Sequence, residues 1–229
     1  MTLTYFGHSA FQLDIDGTIV LVDPFLGDNP HTNRSPDDVD PDVILLTHAH
    51  GDHWGDTAAI AKRTGALVVA AYEITQYLTT RHGHENVHGM NTGGSWTFPW
   101  GRVSMTWARH SSSFPDGTYG GNPGGFMIEA GGVCVYAAGD TAPFQEMAWL
   151  GTDFAIDYAL LPIGDCFTMG ISGSCRAADM LSPRITIPVH YNTFPPIETD
   201  LEEWERTFRE AGHETRIMKP DTSMALRGG

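Results

Sequence analysis

Thr47-His48-Ala49-His50-Gly51-Asp52-His53-Trp54 places three imidazoles and a carboxylate within six consecutive residues, and that density limits what the surrounding chain can become. Such side chains hold borderline divalent metals, with zinc, manganese and iron the natural candidates. In an extended stretch His48 and His50 point the same way, because side chains alternate with a period of two. Asp52 and His53 are adjacent, so a turn there aims them at a second point a few ångströms away. One short loop can therefore serve two neighbouring metals. The alternative, a polar loop that happens to be rich in histidine, rarely produces H-x-H-x-D-H.

The flanking residues place the motif. Val43-Ile44-Leu45-Leu46 is a short apolar run after Pro41-Asp42 and reads as a buried strand. From Trp54 the chain reads as helical, with Gly65 just past the end. The histidines thus sit where a strand ends and a helix begins, the usual place for ligand sites in α/β sheets. Three further His or Asp residues also follow β-rich apolar runs. His110 comes after Arg102–Ala108, Asp140 after Val133–Gly139, and His190 after Ile185–Val189. A lone strand-end His or Asp is ordinarily structural, but three beside the opening motif are not easily explained that way.

These residues, with Gly7-His8-Ser9-Ala10-Phe11, Asp23-Pro24-Phe25, His110-Ser111-Ser112-Ser113, Gly139-Asp140-Thr141, Leu161–Asp165, Phe167–Gly170 and Pro188–Pro195, resemble the metallo-β-lactamase superfamily. Within it the chain is similar to a metal-dependent hydrolase branch related to the ascorbate-6-phosphate lactonases. The resemblance implies an α/β fold, a four-layer αββα sandwich formed by one domain over residues 1–229. A β-rich opening followed by alternating elements, repeated after residue 95, agrees with two similar halves packed sheet to sheet.

The resemblance also implies ligand roles. His48, His50 and His110 would bind one metal; Asp52, His53 and His190 the other; Asp140 would bridge both. A water or hydroxide held between two ions about 3.5–4 Å apart is acidified and becomes a nucleophile near pH 7. Asp52 is the expected catalytic carboxylate, orienting that nucleophile. Asp23 is expected to support the histidine loop, with a strand-terminating turn residue as the alternative. His8 is expected to face the site as a substrate or supporting contact, with a capping or core histidine as the alternative. Asp165 is expected in the pocket wall, or else as a turn residue.

Other features invite plainer readings. His82, His84 and His88 lack an acidic or cysteine partner at a recognisable interval and read as a solvated loop. The glycine-rich run 117–125 lacks the Lys-Ser/Thr of a phosphate loop and reads as a mobile hairpin, a lid or a plain turn. Leu201, Trp204, Phe208 and Ala211 share one face of an amphipathic helix. Ile171–Arg176 departs from the acidic, alanine-rich helix start of the branch; Ser172 or Ser174 is expected to cap the helix there. Cys166 has no activating partner and is expected to pack.

Composition bounds the partners. The formal charge is −15, from 13 Lys and Arg against 28 Asp and Glu. That balance disfavours nucleic acid, which takes clustered cations, and leaves a small-molecule substrate as the expected partner. No run approaches 18 apolar residues, so no membrane span is expected. Three cysteines give no paired framework, which fits a reducing, cytoplasmic setting. Relatives of this branch commonly self-associate, so a homo-oligomer is compatible. The leading functional expectation is a hydrolase with two divalent ions, cleaving an ester-like bond of a small metabolite, a lactone first and a phosphoester or phosphodiester next. An iron-dependent redox enzyme is a second reading, though di-iron flavin-linked members carry Glu where this chain has His50. A non-catalytic, metal-stabilised ligand-binding protein is a third.

Overall fold

The computed structural model describes residues 1–229. The chain opens with β1 (Thr2–Gly7), β2 (Ala10–Ile15) and β3 (Thr18–Val22), an antiparallel meander. It then changes to parallel pairing through β4 (Val43–Leu45), β5 (Leu67–Ala71) and β6 (Val87–Met90). Helices α1 (Gly51–Trp54) and α2 (Thr57–Thr64) lie in the β4–β5 crossover and α3 (Tyr72–His82) in the β5–β6 crossover, while the β3–β4 crossover is a long loop with a 3-10 turn at Pro36–Asp38.

The second half repeats the plan. Strands β7 (Ser95–Phe98), β8 (Gly101–Trp107), β9 (Gly124–Ala130) and β10 (Val133–Ala137) are antiparallel neighbours. Then β11 (Tyr158–Pro162) and β12 (Ile185–Val189) add in parallel, connected through α4 (Met147–Asp153) and α5 (Ile171–Leu181). After α6 (Leu201–Glu210), β13 (Thr222–Ala225) returns to pair with β1. The result is a seven-stranded sheet, β13-β1-β2-β3-β4-β5-β6, and a six-stranded sheet, β12-β11-β10-β9-β8-β7.

The period of two shows how the layers stack. On β10, Val133, Val135 and Ala137 belong to the main core with residues of the first sheet, whereas Cys134, Tyr136 and Ala138 face a second core. On β11, Tyr158 and Leu160 turn to the first core, Ala159 and Leu161 to the second. Burial on both faces explains why these strands are unbroken apolar runs. The second core includes Met147, Ala177, Leu181, Trp204 and Phe208 from the covering helices. Together the layers form the α/β sandwich expected from the sequence.

Some local expectations change. The helix after the histidine motif is two helices, because Gly55 interrupts it at φ +39. Gly65 closes α2 in the left-handed conformation, as expected. Neither Ser172 nor Ser174 caps α5. The helix begins at Ile171 with Gly170 as N-cap, and Ser174 Oγ instead donates to the Ile171 carbonyl at 2.9 Å. The glycine-rich run forms a turn whose tip, Pro115–Tyr119, is exposed, while Gly120, Gly121, Gly124 and Gly125 are buried. A Cβ on Gly120 would lie 2.3 Å from that of Ala49, so this strand entry packs on the histidine loop. Cys166 is exposed rather than packed.

Candidate metal centre

The centre lies at one end of the two sheets, on the segments that leave β1, β3, β4, β8, β10 and β12. Its organising residue is Asp23. One oxygen accepts the Thr47 backbone N–H at 2.8 Å. The other accepts the Thr47 hydroxyl at 2.7 Å and His53 Nδ1 at 2.7 Å. Because the Thr47 hydroxyl proton is committed to Asp23, Thr47 Oγ1 can only accept from His48 Nδ1, 3.1 Å away. Both His48 and His53 are therefore protonated at Nδ1 and turn an Nε2 lone pair inward, the arrangement of metal-binding histidines.

Two groups of donors result. His48 Nε2 and His110 Nε2 lie 3.1 and 3.2 Å from His50 Nδ1. Nitrogens sharing a tetrahedral zinc-sized ion lie about 3.3 Å apart, so the spacing fits such an ion. The second group is His8, Asp52, His53 and His190, whose ligand atoms lie within 4.8 Å of one another. Asp140 reaches both: Oδ2 is 3.1 Å from His190 Nε2, 3.6 Å from His110 Nε2 and 3.9 Å from His48 Nε2, while Oδ1 is 3.2 Å from His53 Nε2.

Several of these atoms lack a hydrogen-bond partner. His53 Nε2, Asp140 Oδ1, and both ring nitrogens of His190 are buried and unpaired. Their close approaches do not have hydrogen-bond geometry, yet each buried unsatisfied group costs about 1–3 kcal/mol. His53 Nε2, Asp140 Oδ1 and His190 Nε2 converge on one small space, which is what a cation site presents when described by its protein atoms alone. The residues present thus fit one or two divalent ions.

Burial and charge shape the titration of the group. Burial pushes His48 well below the ordinary histidine range and lowers His50 and His110. Burial opposes protonation of His53 and His190 too, but Asp140 together with Asp23 raises His53 strongly, and Asp140 together with Asp52 raises His190 to about 9. Burial would raise Asp52, yet the neighbouring His190 and His8 imidazoles hold its carboxyl well below the usual range. His8 is lowered to about 4, chiefly by burial and then by the charge of His190.

A neutral His8 explains its contacts. Nε2 donates to Asp52 Oδ2 at 3.1 Å, and Nδ1 accepts from Thr193 Oγ1 at 2.9 Å. Its ring is fully buried against Phe25 and Phe194. His8 therefore grips Asp52 rather than projecting into solvent. His8, Asp23 and His190 all adopt positive φ, between +45° and +55°, a conformation that costs a non-glycine residue about 1–2 kcal/mol. Strain concentrated on three buried polar residues of one group is a mark of function.

Asp165 stands apart. It is exposed in the loop after β11 and lines a polar groove with Met169, Ser172, Glu198 and Asp200. Its side chain makes no hydrogen bond or ion pair with the histidine group. His82, His84 and His88 form no metal cluster; His84 Nε2 lies 2.9 Å from the Ala66 carbonyl and His88 packs on Trp96. Two supporting residues were not singled out in the sequence. Thr193 fixes His8, and Ser112 accepts Ala49 N–H while donating to the Gly120 carbonyl. Both lie inside motifs already noted, His110–Ser113 and Pro188–Pro195, but short polar side chains are too common for these roles to be read without coordinates.

Access is from one side. The Asp52 side chain is 31% exposed, whereas those of His48, His53, Asp140 and His190 are 0–3% exposed. Asp52, His50 and His110 form the rim. A surface hollow of about 710 Å³ beside Glu129, Asp157 and Arg184 shares no residue with this centre.

Comparison with known proteins agrees with this architecture. The profile of the beta-lactamase superfamily domain matches residues 18–191. The chain is 50% identical to a UPF0173 metal-dependent hydrolase of Salinibacter ruber, covering 99% of this chain and 100% of that one. It is 46% identical to a protein of the same description from Thermus thermophilus, covering 97% of each. Among solved structures it is similar to Igni18, a metallo hydrolase from Ignicoccus hospitalis. That match has 38% identity and a TM-score of 0.89, and covers 99% of both chains.

Proposed function

The chain belongs to the metallo-β-lactamase superfamily, among its UPF0173-type metal-dependent hydrolases, and from that premise we propose that it hydrolyses an ester-like bond of a small metabolite at a two-metal centre. The observation that carries this reading is the convergence of seven donor residues, three of them with a buried, unpaired ligand atom. His48, His50 and His110 would hold one ion and Asp52, His53 and His190 the other, with Asp140 within reach of both groups. Two divalent ions so placed supply Lewis acidity and an acidified water at neutral pH.

The chain's own residues orient the reaction. Asp23 and Thr47 fix the rings of His48 and His53. His8 occupies Asp52 Oδ2, which leaves Oδ1 to accept a hydrogen bond from water or substrate at the open rim. A carboxyl held this far below its usual range orients a water better than it stores a proton, so Asp52 is assigned the orienting role. No Lys or Arg side chain is hydrogen-bonded or ion-paired to any of these residues, and Lys occurs only at 62 and 219. A substrate that needs no fixed cation, such as a lactone, suits that rim better than a phosphomonoester. Kinship with lactonases of sugar acids is part of this proposal, as are zinc, manganese or iron as the native ion.

Asp52→Asn in metal-replete protein should depress kcat by about 10²-fold or more while leaving most of the bound metal. Lactones, phosphodiesters and thioesters assayed with each metal should give the highest kcat/KM on a lactone. Unchanged turnover in the variant would remove Asp52 from its role. Preference for a phosphodiester would move the substrate class, and oxygen consumption with iron would replace hydrolysis by redox chemistry.

A further inference from the structure

A second cluster of ligand types lies far from the histidine loop in the chain, where α5 meets the end of α6. Cys175 and Asp179 are four residues apart on α5, and that spacing puts them on one helix face. His213 comes from the turn that follows α6. Cys175 Sγ, an Asp179 carboxylate oxygen and a His213 ring nitrogen all lie within 4.8 Å of one another. His213 Nε2 is 2.8 Å from Asp179 Oδ1.

The turn fixes the imidazole. Gly212 N–H donates to the Arg209 carbonyl at 3.1 Å and His213 N–H to the Phe208 carbonyl at 2.9 Å, closing the helix with Gly212 at φ +86. The His213 ring then rests on the buried Phe208, with centroids 5.7 Å apart. The donor that must come from another element is therefore held in place by the core. Cys175 is half-buried against the same core.

We infer that Cys175, Asp179 and His213 form a separate binding site for a zinc-type divalent ion, clamping α5 to the C-terminal end of α6. An exposed Asp–His pair alone is an ordinary surface feature worth about 0–1 kcal/mol, but it does not account for a thiol brought to the same point. Thiolate, imidazole and carboxylate together are a borderline-soft donor set that suits zinc over magnesium or calcium. Three protein ligands leave the fourth tetrahedral position to solvent. Their combined charge with the thiol deprotonated is −2, which one divalent ion neutralises. Binding requires the Asp179–His213 contact to open from 2.8 Å to about 3.3 Å, an adjustment that the exposed Asp179 side chain can make. Burial and the charge of Asp179 raise the free Cys175 thiol, so the ion displaces a proton on binding.

Cobalt provides a reading specific to this site, because the histidine centre contains no sulfur. Metal-free protein titrated with cobalt(II) should develop a thiolate-to-cobalt charge-transfer band in the near ultraviolet. The band should vanish in Cys175→Ser and in His213→Ala and persist in Asp140→Ala. Zinc per chain should fall by about one in Cys175→Ser. No band in wild type once the histidine centre is filled, a band that survives Cys175→Ser, or one that needs a large excess of cobalt would each overturn the assignment.

Discussion

Asp23 touches no expected ion, yet three groups depend on it: the Thr47 amide, the Thr47 hydroxyl and His53 Nδ1. Its removal frees His53 to rotate and unpairs the Thr47 amide. Asp23→Ala is expected to weaken metal binding about 10–100-fold, read by competition with a chromophoric chelator. Proton linkage gives a second check at this scale. In metal-free protein Asp140 raises His190 from 6.5 to about 9 and raises His53 as well. The His190 ring is then charged near pH 7.5, and a metal must displace its proton. Apparent affinity should therefore fall as pH falls, and calorimetry in buffers of different ionisation enthalpy should show proton release. The same shift means that His190 stabilises the metal-free fold below pH 6.5, and that this contribution is lost as pH rises through about 9. Heats independent of buffer would contradict this protonation state.

Helices α1 and α2 are separated so that the histidine loop can dock on the segment after β3. Gly55 makes the break, with φ +39 and no room for a side chain: a Cβ would lie 2.5 Å from the Pro24 carbonyl oxygen. Gly55→Ala should cost about 2–3 kcal/mol and lower Tm by about 4–12 °C, measurable by calorimetry. In the second half of the chain, Asp200 caps α6 by accepting Glu202 and Glu203 N–H, and Trp204 is fully buried. Trp204→Ala should cost about 3–5 kcal/mol. The sequence shows elements of this kind clearly where one rule dominates. The H-x-H-x-D-H spacing, the apolar runs of β4, β10 and β12, and the face of α6 were all legible. Elsewhere tertiary contacts decide. Ser174 is a good capping residue by type, but its hydroxyl finds the Ile171 carbonyl inside the helix. The glycine-rich run looks mobile from composition, but Gly120 is buried against Ala49. Asp165 is exposed in the loop after β11 and lines a polar groove with Met169 and Ser172, a placement that its own short motif does not specify.

At the scale of the whole molecule, two sheets supply one centre. The first sheet brings the histidine loop, Asp23 and His8; the second brings His110, Asp140 and His190. The ligands therefore meet only when the sandwich has closed, and metal binding and folding are coupled. The 28 acidic against 13 basic residues give the whole molecule a formal charge of −15, a field that attracts cations. The seven-donor centre is the claim on which the rest depends, and elemental analysis tests it most directly. The measurement is made in the Cys175→Ser background, so that the cluster between α5 and α6 does not contribute. About two metal ions per chain are predicted there, with a clear loss when Asp140→Ala is added. One ion or fewer after supplementation, or two retained without Asp140, would contradict a centre joined by that carboxylate.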